Sequence, residues 1–321
     1  MKKIKAFFRP EQYHGWGQSR RYFEGWYYKI VDHSEQHAFA VIPGIAMDEA
    51  ENRQGFIQVL DGKKHSAEYF AFDAADFAAV PGRFEVHIGD NDFSSQHIRL
   101  SLPGISGELT FSGNVPWPSP WYSPGIMGPY SFAPFMECYH GVVSMDHELH
   151  GYLKAGNKRI LFDKGRGYIE KDWGRSFPSA YIWTQSNHFS EPGVSFFASV
   201  AKIPWIRSSF TGFIAGIWLH DRLIQFTTYN RTSLRKCRVD TDTVALIMEN
   251  RRHRLEVTVS RDHASSLASP IQGFMDGRIE ESMTSEIKIT LMEMKHGKTI
   301  FQDTGRNAGL DVAGNIEEIF V

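Results

Sequence analysis

Residues 21–31 read RYFEGWYYKIV, and this aromatic, β-branched run is the part of the sequence that decides the fold class. Side chains alternate between the two faces of a β-strand, so Glu24, Trp26 and Tyr28 share one face. The opposite face is also aromatic, which indicates a strand buried on both sides. Similar segments, such as HAFAVIPGIAM at 37–47, recur at close spacing between Gly, Pro, Asn and Asp. Hardly any segment has a helical period, and the pattern predicts an all-β fold of antiparallel strands.

Length and composition limit the classes of protein that this chain can belong to. The 321 residues are about twice the usual size of a single domain. With 35 Lys and Arg against 37 Asp and Glu, the net charge of −2 gives no basic footprint for nucleic acid. The two cysteines form no zinc or CxxC redox motif, so we expect neither a metal nor another cofactor. No signal peptide or membrane-length apolar run is present, and we predict a cytoplasmic protein.

An internal duplication is visible when residues 157–174 are laid without gaps on residues 297–314. This alignment pairs Ile160 with Ile300 and Gly174 with Gly314, among other matches. It predicts two copies of one β unit, with domains at 1–174 and 175–321, each long enough to close into a barrel. A single large β fold is the alternative.

The proline-rich segment 114–134, NVPWPSPWYSPGIMGPYSFAP, has no counterpart in the second half. Proline stiffens a loop and lowers the entropy that the loop loses on ordering. The segment is either a lid over the mouth of a barrel or a packed Ω-like connection.

Glu24 is the first candidate for acid chemistry because it lies among aromatic residues in a strand that the pattern predicts to be buried. Burial without a cation raises the pKa of a carboxyl group and keeps it protonated at neutral pH. Glu24 would then act as a general acid. The alternative is a buried ion pair with Arg20, Arg21 or another cation.

A second candidate group follows at residues 168–174, where Glu170 and Asp172 share one face of a predicted strand. Mutual repulsion raises the pKa of one member of such a pair when solvent is excluded. We expect Glu170 to be solvated and Asp172 to be functional. By contrast, His147 and His150 lie three residues apart on a strand and point to opposite faces, which argues against a shared metal site.

Residues 179–187 form a third candidate group, with four polar or aromatic side chains on one face: Tyr181, Trp183, Gln185 and Asn187. Amides beside large rings suit a pocket for an aromatic ligand. They suit an inter-sheet hydrogen-bond network equally well.

Two of these stretches, RRYFEGWYYK at 20–29 and YIEKDWGRSFPSAYIWTQSN at 168–187, resemble the signatures of the tocopherol cyclase family. The resemblance implies two lipocalin-like (calycin-like) antiparallel β-barrel domains. It also implies an enzyme that closes a prenyl quinol to a chromanol, by protonating an alkene and capturing the cation with a phenol oxygen. No metal or redox cofactor takes part in that chemistry.

The resemblance assigns roles to the candidate residues. Glu24 or Asp172 would donate the proton, although the family usually has asparagine at the position of Asp172. The remaining candidates would bind the substrate, with rings that stabilise the cation and amides that orient the quinol: Trp26, Tyr28, Trp173, Tyr181, Trp183, Gln185 and Asn187.

Three other functions stay open. Water could capture the cation, which would make the protein an isoprenoid hydratase or dehydratase, and the acid at position 172 is compatible with that outcome. A lipocalin-like barrel could instead carry apolar lipids without transforming them, and a β protein with exposed rings could bind carbohydrate. The expected partners are an apolar small molecule and, transiently, a membrane from which it is collected, with no nucleic acid.

Overall fold

The structure is a computed structural model that describes residues 6–134 and 136–320, and its strands form two antiparallel sheets. The first sheet contains twelve strands: β1 (Tyr22–Val31), β2 (Ala38–Met47), β3 (Arg53–Asp61), β4 (Ser66–Asp73), β5 (Phe77–Ala79), β6 (Glu85–Ile88), β7 (Asn91–Ser94), β8 (His97–Leu102), β9 (Ile105–Ser112), β10 (Cys138–Ala155), β11 (Lys158–Leu161) and β12 (Gly165–Gly174). The second contains ten: β13 (Ala180–Ser186), β14 (Ser195–Trp205), β15 (Ser208–Leu219), β16 (Arg222–Thr227), β17 (Ser233–Val239), β18 (Thr243–Glu249), β19 (His253–Ser260), β20 (Ser265–Ile271), β21 (Phe274–Glu293) and β22 (Lys298–Gly314). Three 3₁₀ helices are short: Ala74–Asp76, Gly128–Phe132 and Ile316–Ile319. The all-β prediction is confirmed.

The two sheets repeat one strand order. In the first sheet β4, β3, β2 and β1 are followed by β12, β10, β9, β8 and β7, and in the second β16, β15, β14 and β13 are followed by β22, β21, β19, β18 and β17. The first strand of each sheet therefore pairs with the last one, β1 with β12 and β13 with β22. This repetition confirms the predicted internal duplication.

The gapless alignment that revealed the duplication is wrong by one residue. Ile160 is buried in the first core, whereas its predicted counterpart Ile300 is 39% exposed and the neighbouring Phe301 enters the second core. Further along, Ile169 of the first core corresponds to Leu310 of the second. A shift of one residue turns every side chain of a strand to the other face. Lys171 therefore corresponds to Val312.

Two compact units divide the described chain. The first contains the residues up to Phe177 together with Leu267–Arg278, and the second contains Pro178–Ser266 together with the residues from Ile279 onwards. Gln58 binds the segment Leu267–Arg278 to the rest of the first unit. Its side-chain amide donates a hydrogen bond to Ala268 O at 3.0 Å and accepts one from Ala268 N at 2.9 Å. The domain bounds predicted from the sequence do not assign Leu267–Arg278 to the first domain, and they stay a prediction.

Each unit has its own hydrophobic core. Tyr22, Trp26 and Tyr28 of β1 bring aromatic rings into the first core, whereas β18, β19 and β21 each contribute three aliphatic or methionine side chains to the second. Within residues 6–134 and 136–320, no helix has the length and apolar content that crossing a membrane would require.

Candidate functional site

The paired strands β1 and β12 carry ionisable side chains on both faces. Residues directly opposite each other in an antiparallel pair point to the same face. Trp26 lies opposite Lys171, and both belong to the face that packs into the first core. Gly25 lies opposite Asp172 on the other face, where His140 of β10 is the next neighbour of Asp172. We call the core-facing group, Glu24, Lys171 and His14, the inner cluster, and His140, Glu170 and Asp172 the outer cluster.

Glu24 of the inner cluster is a buried carboxylate with many partners. Its oxygens contact Lys171 Nζ at 2.5 Å and accept hydrogen bonds from His14 N at 2.8 Å and Gly15 N at 2.9 Å. The hydroxyl of Tyr22 donates to it as well, at 2.5 Å. Burial raises the pKa of Glu24, but the charge of Lys171 and the hydrogen bonds from His14 outweigh burial, so the pKa is lowered overall. The expected protonated Glu24 is therefore wrong. The ion-pair alternative is correct, with Lys171 as the cation rather than Arg20 or Arg21.

Lys171 ties the N-terminal segment into this cluster. Its ammonium donates to Gln12 O and to His14 Nδ1, and it lies 4.6 Å from the ring centre of Trp173. Burial lowers the pKa of Lys171 to about 8 despite the opposing charge of Glu24. Burial and the charge of Lys171 also lower the pKa of His14, which is therefore neutral and can accept this hydrogen bond.

The predicted binding residues Trp26 and Tyr28 are fully buried in the same core. Trp26 Nε1 donates to Glu11 O at 3.0 Å, and the hydroxyl of Tyr28 donates to Ser94 O at 2.8 Å. Neither ring has a face accessible to a ligand, so the predicted role of these two residues in binding is not supported. Trp173 differs, because it is only partly buried and stacks on His14 with ring centres 4.3 Å apart.

In the outer cluster, His140 bridges two carboxyl groups. Its Nε2 lies 3.2 Å from Glu170 Oε2, and its Nδ1 lies 3.6 Å from Asp172 Oδ1. The hydroxyl of Tyr168 donates to the same Glu170 oxygen at 2.6 Å. Glu170 is buried, so the expectation that it is solvated is wrong, whereas the side chain of Asp172 keeps 22% exposure.

The pKa values of Asp172 and His140 are shifted upward. Burial raises the pKa of Asp172 to about 6, with His140 lowering it and the Glu170 carboxylate raising it. Burial opposes protonation of His140, but the charges of Asp172 and Glu170 raise its pKa to about 9. The direction agrees with the prediction that one carboxyl on this face has a raised pKa, but burial contributes more to the shift of Asp172 than repulsion by Glu170 does.

The residues of β1 that lie nearest to Asp172 on its face are a glycine and two aromatic residues. Gly25 faces it from β1 without a side chain, and the flanking Phe23 and Tyr27 are buried rings on the same face. Cys138 Sγ lies 3.8 Å from Asp172 Oδ1. Burial and the charge of Asp172 raise the pKa of the Cys138 thiol, so it stays protonated and donates its hydrogen.

The outer cluster also has the composition of a metal site. One ligand atom from each of His140, Glu170 and Asp172 lies within 4.8 Å of the others. Both imidazole nitrogens of His140, however, face a carboxylate in this arrangement. A metal ion would have to replace one of these interactions, and the geometry favours proton sharing between the three groups.

Three further candidates, Tyr181, Trp183 and Gln185, lie in the second unit on β13. All three are buried on the face that points away from the second core, and the hydroxyl of Tyr181 donates to Asp311 Oδ2 at 2.5 Å. Asn187, just after β13, is buried as well. The predicted sharing of a face by Tyr181, Trp183 and Gln185 is thus observed, while their part in ligand binding stays a prediction.

Sequence reasoning missed His140 and the roles of Lys171 and His14. His140 lies 32 residues before Asp172, and only the register of β10 against β12 places them opposite each other. Lys171 was visible in the quoted motif, but nothing local to the sequence says that its side chain meets that of Glu24. The one usable signal was the alternation that turns Lys171 to the same face as Trp173.

Comparisons with known proteins identify the family of this chain and support its fold. The sequence profile of the family described as Tocopherol cyclase-like matches residues 112–314. A chloroplastic tocopherol cyclase of Zea mays is 23% identical over 198 residues, which are 56% of this chain and 40% of that protein. A chloroplastic protein of Oryza sativa subsp. japonica, also assigned as a tocopherol cyclase, is 22% identical over 196 residues, with the same shares. The chain thus matches less than half the length of these curated relatives.

Solved structures agree on the fold. A protein of Nitrosomonas europaea assigned to AttH superimposes with a TM-score of 0.56 at 12% identity, covering 92% of this chain and 93% of that one. Kievitone hydratase of Nectria haematococca gives a TM-score of 0.51 at 12% identity, covering 91% and 89%. These likenesses, with the repeated sheets, confirm the predicted fold of two lipocalin-like antiparallel β-barrel domains. Because the family profile covers well over half of the sequence, the chain belongs to the tocopherol cyclase-like family.

Proposed function

We propose that this protein protonates a trisubstituted alkene of a prenylated aromatic substrate and that the outer cluster supplies the proton. Membership of the tocopherol cyclase-like family supports this class of reaction. The shared region spans only 40% of the curated relatives, so their full activity enters here as a proposal.

One observation carries the assignment, namely the raised pKa of Asp172 next to a charged His140. An effective general acid has a pKa near the working pH, since it must be both protonated and acidic enough to react. Asp172, with a pKa of about 6, meets this condition better than Glu24, whose pKa is lowered. His140, with a pKa of about 9, is an imidazolium at neutral pH, and its charge lowers the pKa of Asp172 against the effect of burial.

The reaction balances without a cofactor. The O–H proton of Asp172 forms a new C–H bond with the alkene π electrons, which leaves a tertiary cation on the neighbouring carbon. A lone pair of the substrate's phenol oxygen then closes the C–O bond, and the phenol proton passes to the Asp172 carboxylate. Phe23 and Tyr27 are buried, and a face of either ring that becomes accessible to the substrate would stabilise the cation by up to about 2 kcal/mol. The product is an isomer of the substrate.

Hydration of the alkene is the second candidate reaction, and the acid at position 172 supports it. Asparagine is usual at this position in the family, whereas this chain has an acid that ionises near neutral pH. A carboxylate can accept a proton from an attacking water as readily as from a phenol. The product would then be a tertiary alcohol that contains one added water.

The test is turnover of a prenyl hydroquinone by the full chain, analysed by mass spectrometry. We expect the wild type to form chromanol and Asp172→Asn to lower kcat/KM by about 100-fold or more, the usual contribution of a positioned acid. Glu148→Gln is the matched control, because Glu148 of β10 lies beside His150 as Asp172 lies beside His140, but its side chain is 40% exposed. Its turnover should equal that of the wild type.

Other outcomes would change the proposal in defined ways. Full turnover by Asp172→Asn would overturn the acid assignment, and loss of turnover in EDTA would favour a metal at the outer cluster. A product heavier by one water would favour the hydratase. Retention of intact lipid without product would favour a carrier.

A further inference from the structure

Four aromatic side chains of the first unit are exposed on the N-terminal segment and the proline-rich segment. They are Trp121 at 79% exposure, Tyr122 at 63%, Phe132 at 50% and Phe8 at 41%. We call this group the aromatic patch. Single exposed apolar residues are ordinary, but clustered aromatic residues mark a surface that binds something.

The two segments that carry the aromatic patch are held together. The ring of Phe7 contacts those of Phe8 and Phe132, with centres 5.0 and 5.3 Å apart. Ser119 Oγ donates to Phe8 O at 3.5 Å and accepts from Gly125 N at 3.0 Å, which places the turn with Trp121 and Tyr122 beside the N-terminal segment.

The base of the proline-rich segment is packed. Trp117 and Ile126 are buried, and Val115 exchanges backbone hydrogen bonds with Asp146 O and Met145 N. Of the two alternatives for this segment, the packed connection describes its base, while its tip presents the aromatic patch.

Positive charge lies next to the patch along the chain. The first nine residues, MKKIKAFFR, contain Lys2, Lys3, Lys5 and Arg9 without an acidic residue, although the whole chain has a net charge of −2. Aromatic rings beside lysines are the composition that favours the interface of an anionic bilayer, where rings enter the headgroup region and cations meet lipid phosphates.

We propose that the aromatic patch docks the protein reversibly onto anionic lipid bilayers. Charge complementarity selects this occupant over a neutral apolar partner, since lysine side chains are attracted to anionic headgroups. The proposal does not rest on the chemistry at Asp172. It gives a location to the membrane contact predicted from the sequence. The proline-rich segment, which carries part of the patch, is also in contact with the strand of the outer cluster. The hydroxyl of Tyr139, the residue before His140, donates a hydrogen bond to Ala133 O at 2.5 Å.

The test is co-sedimentation of the full chain with vesicles of phosphatidylcholine alone or with added phosphatidylserine. We expect binding to the anionic vesicles that weakens at high salt, and at least a tenfold loss of partitioning for Trp121→Ser/Tyr122→Ser. Replacing Lys2, Lys3 and Lys5 with glutamine should weaken binding to anionic vesicles as well. The matched control is Ile206→Ser, which removes an apolar side chain of 82% exposure from a hairpin of the second unit. This control should bind as the wild type does.

Two results would overturn the proposal. One is equal binding of the wild type and Trp121→Ser/Tyr122→Ser, and the other is equal binding to neutral and anionic vesicles. Circular dichroism of each variant establishes whether it is folded.

Discussion

In the first unit, β1 and β12 bury Glu24 and Lys171 against each other, whereas β13 and β22 of the second unit carry Ala180 and Val312 at the corresponding positions. Glu24 and Lys171 are fully buried, and Ala180 and Val312 belong to or pack against the second core. The same strand pairing thus forms with a charge pair in one unit and with apolar side chains in the other. Buried ion pairs often add little stability compared with apolar residues of similar size. The pairing of strands therefore does not explain why Glu24 and Lys171 are charged.

The first unit differs from the second because the charges of Glu24 and Lys171 bind the backbone of residues 12–15. Glu24 accepts from the backbone of His14 and Gly15, and Lys171 donates to Gln12 O. The inner cluster thus fixes residues 12–15 against the core and places His14 on Trp173. We interpret Glu24 as a positioning residue rather than an acid.

The outer faces of the two units also differ. With the one-residue shift, Glu170 corresponds to Asp311, and each accepts a hydrogen bond from a tyrosine hydroxyl. Asp172, however, corresponds to Ala313. The second unit therefore retains one buried carboxylate of the pair and lacks the group that we propose as the acid.

The largest expected effect is that of removing one charge of the inner cluster. Lys171→Met leaves the Glu24 carboxylate buried without its cation, which costs about 3–5 kcal/mol of unfolding free energy. Urea denaturation followed by tryptophan fluorescence measures this loss.

The matched variant copies the second unit by Glu24→Ala/Lys171→Val. We expect it to lose less stability than Lys171→Met, because no unpaired charge stays buried, and to release residues 12–15 to proteases. If the double variant were the less stable of the two, the comparison between the units would fail.

The pH dependence of stability should come next in size. The pKa of His140 is raised from its usual 6.5 to about 9, so the stability that it contributes is fully present below pH 6.5 and is lost as pH rises through 9. Between pH 6.5 and 8, the unfolding free energy should fall more steeply in the wild type than in His140→Gln, by on the order of 1 kcal/mol per pH unit. This window lies below the titration of Lys171, whose lowered pKa of about 8 acts in the opposite direction above it. Parallel curves for the two proteins would contradict the assignment of a charged His140.

The smallest expected effect is that of removing the tyrosine hydroxyls that donate hydrogen bonds to Glu170 and Asp311. Tyr168→Phe and Tyr181→Phe each remove one donor from a buried acceptor, and we expect each to cost about 1–2 kcal/mol in urea denaturation. Similar losses would support the correspondence of Glu170 with Asp311. A loss confined to one variant would argue that the two carboxylates have different environments.

Much of the fold could be predicted because it depends on local pattern. Alternation in residues 21–31 predicted a strand buried on both faces, and the quoted motifs identified the family. The duplication was also visible, but its alignment was wrong by one residue. Identity at Ile160 and Ile300 does not say which of the two side chains enters a core.

The sequence by itself determined which side chains share a face of one strand, because the two-residue period of an extended chain is a local property. It thereby placed Glu170 beside Asp172 and predicted that one of them would have a raised pKa. Only the tertiary structure decided that Lys171 neutralises Glu24 and that His140 lies between the two carboxyls. Those encounters depend on register between strands distant in sequence, and register is set by packing of the whole sheet.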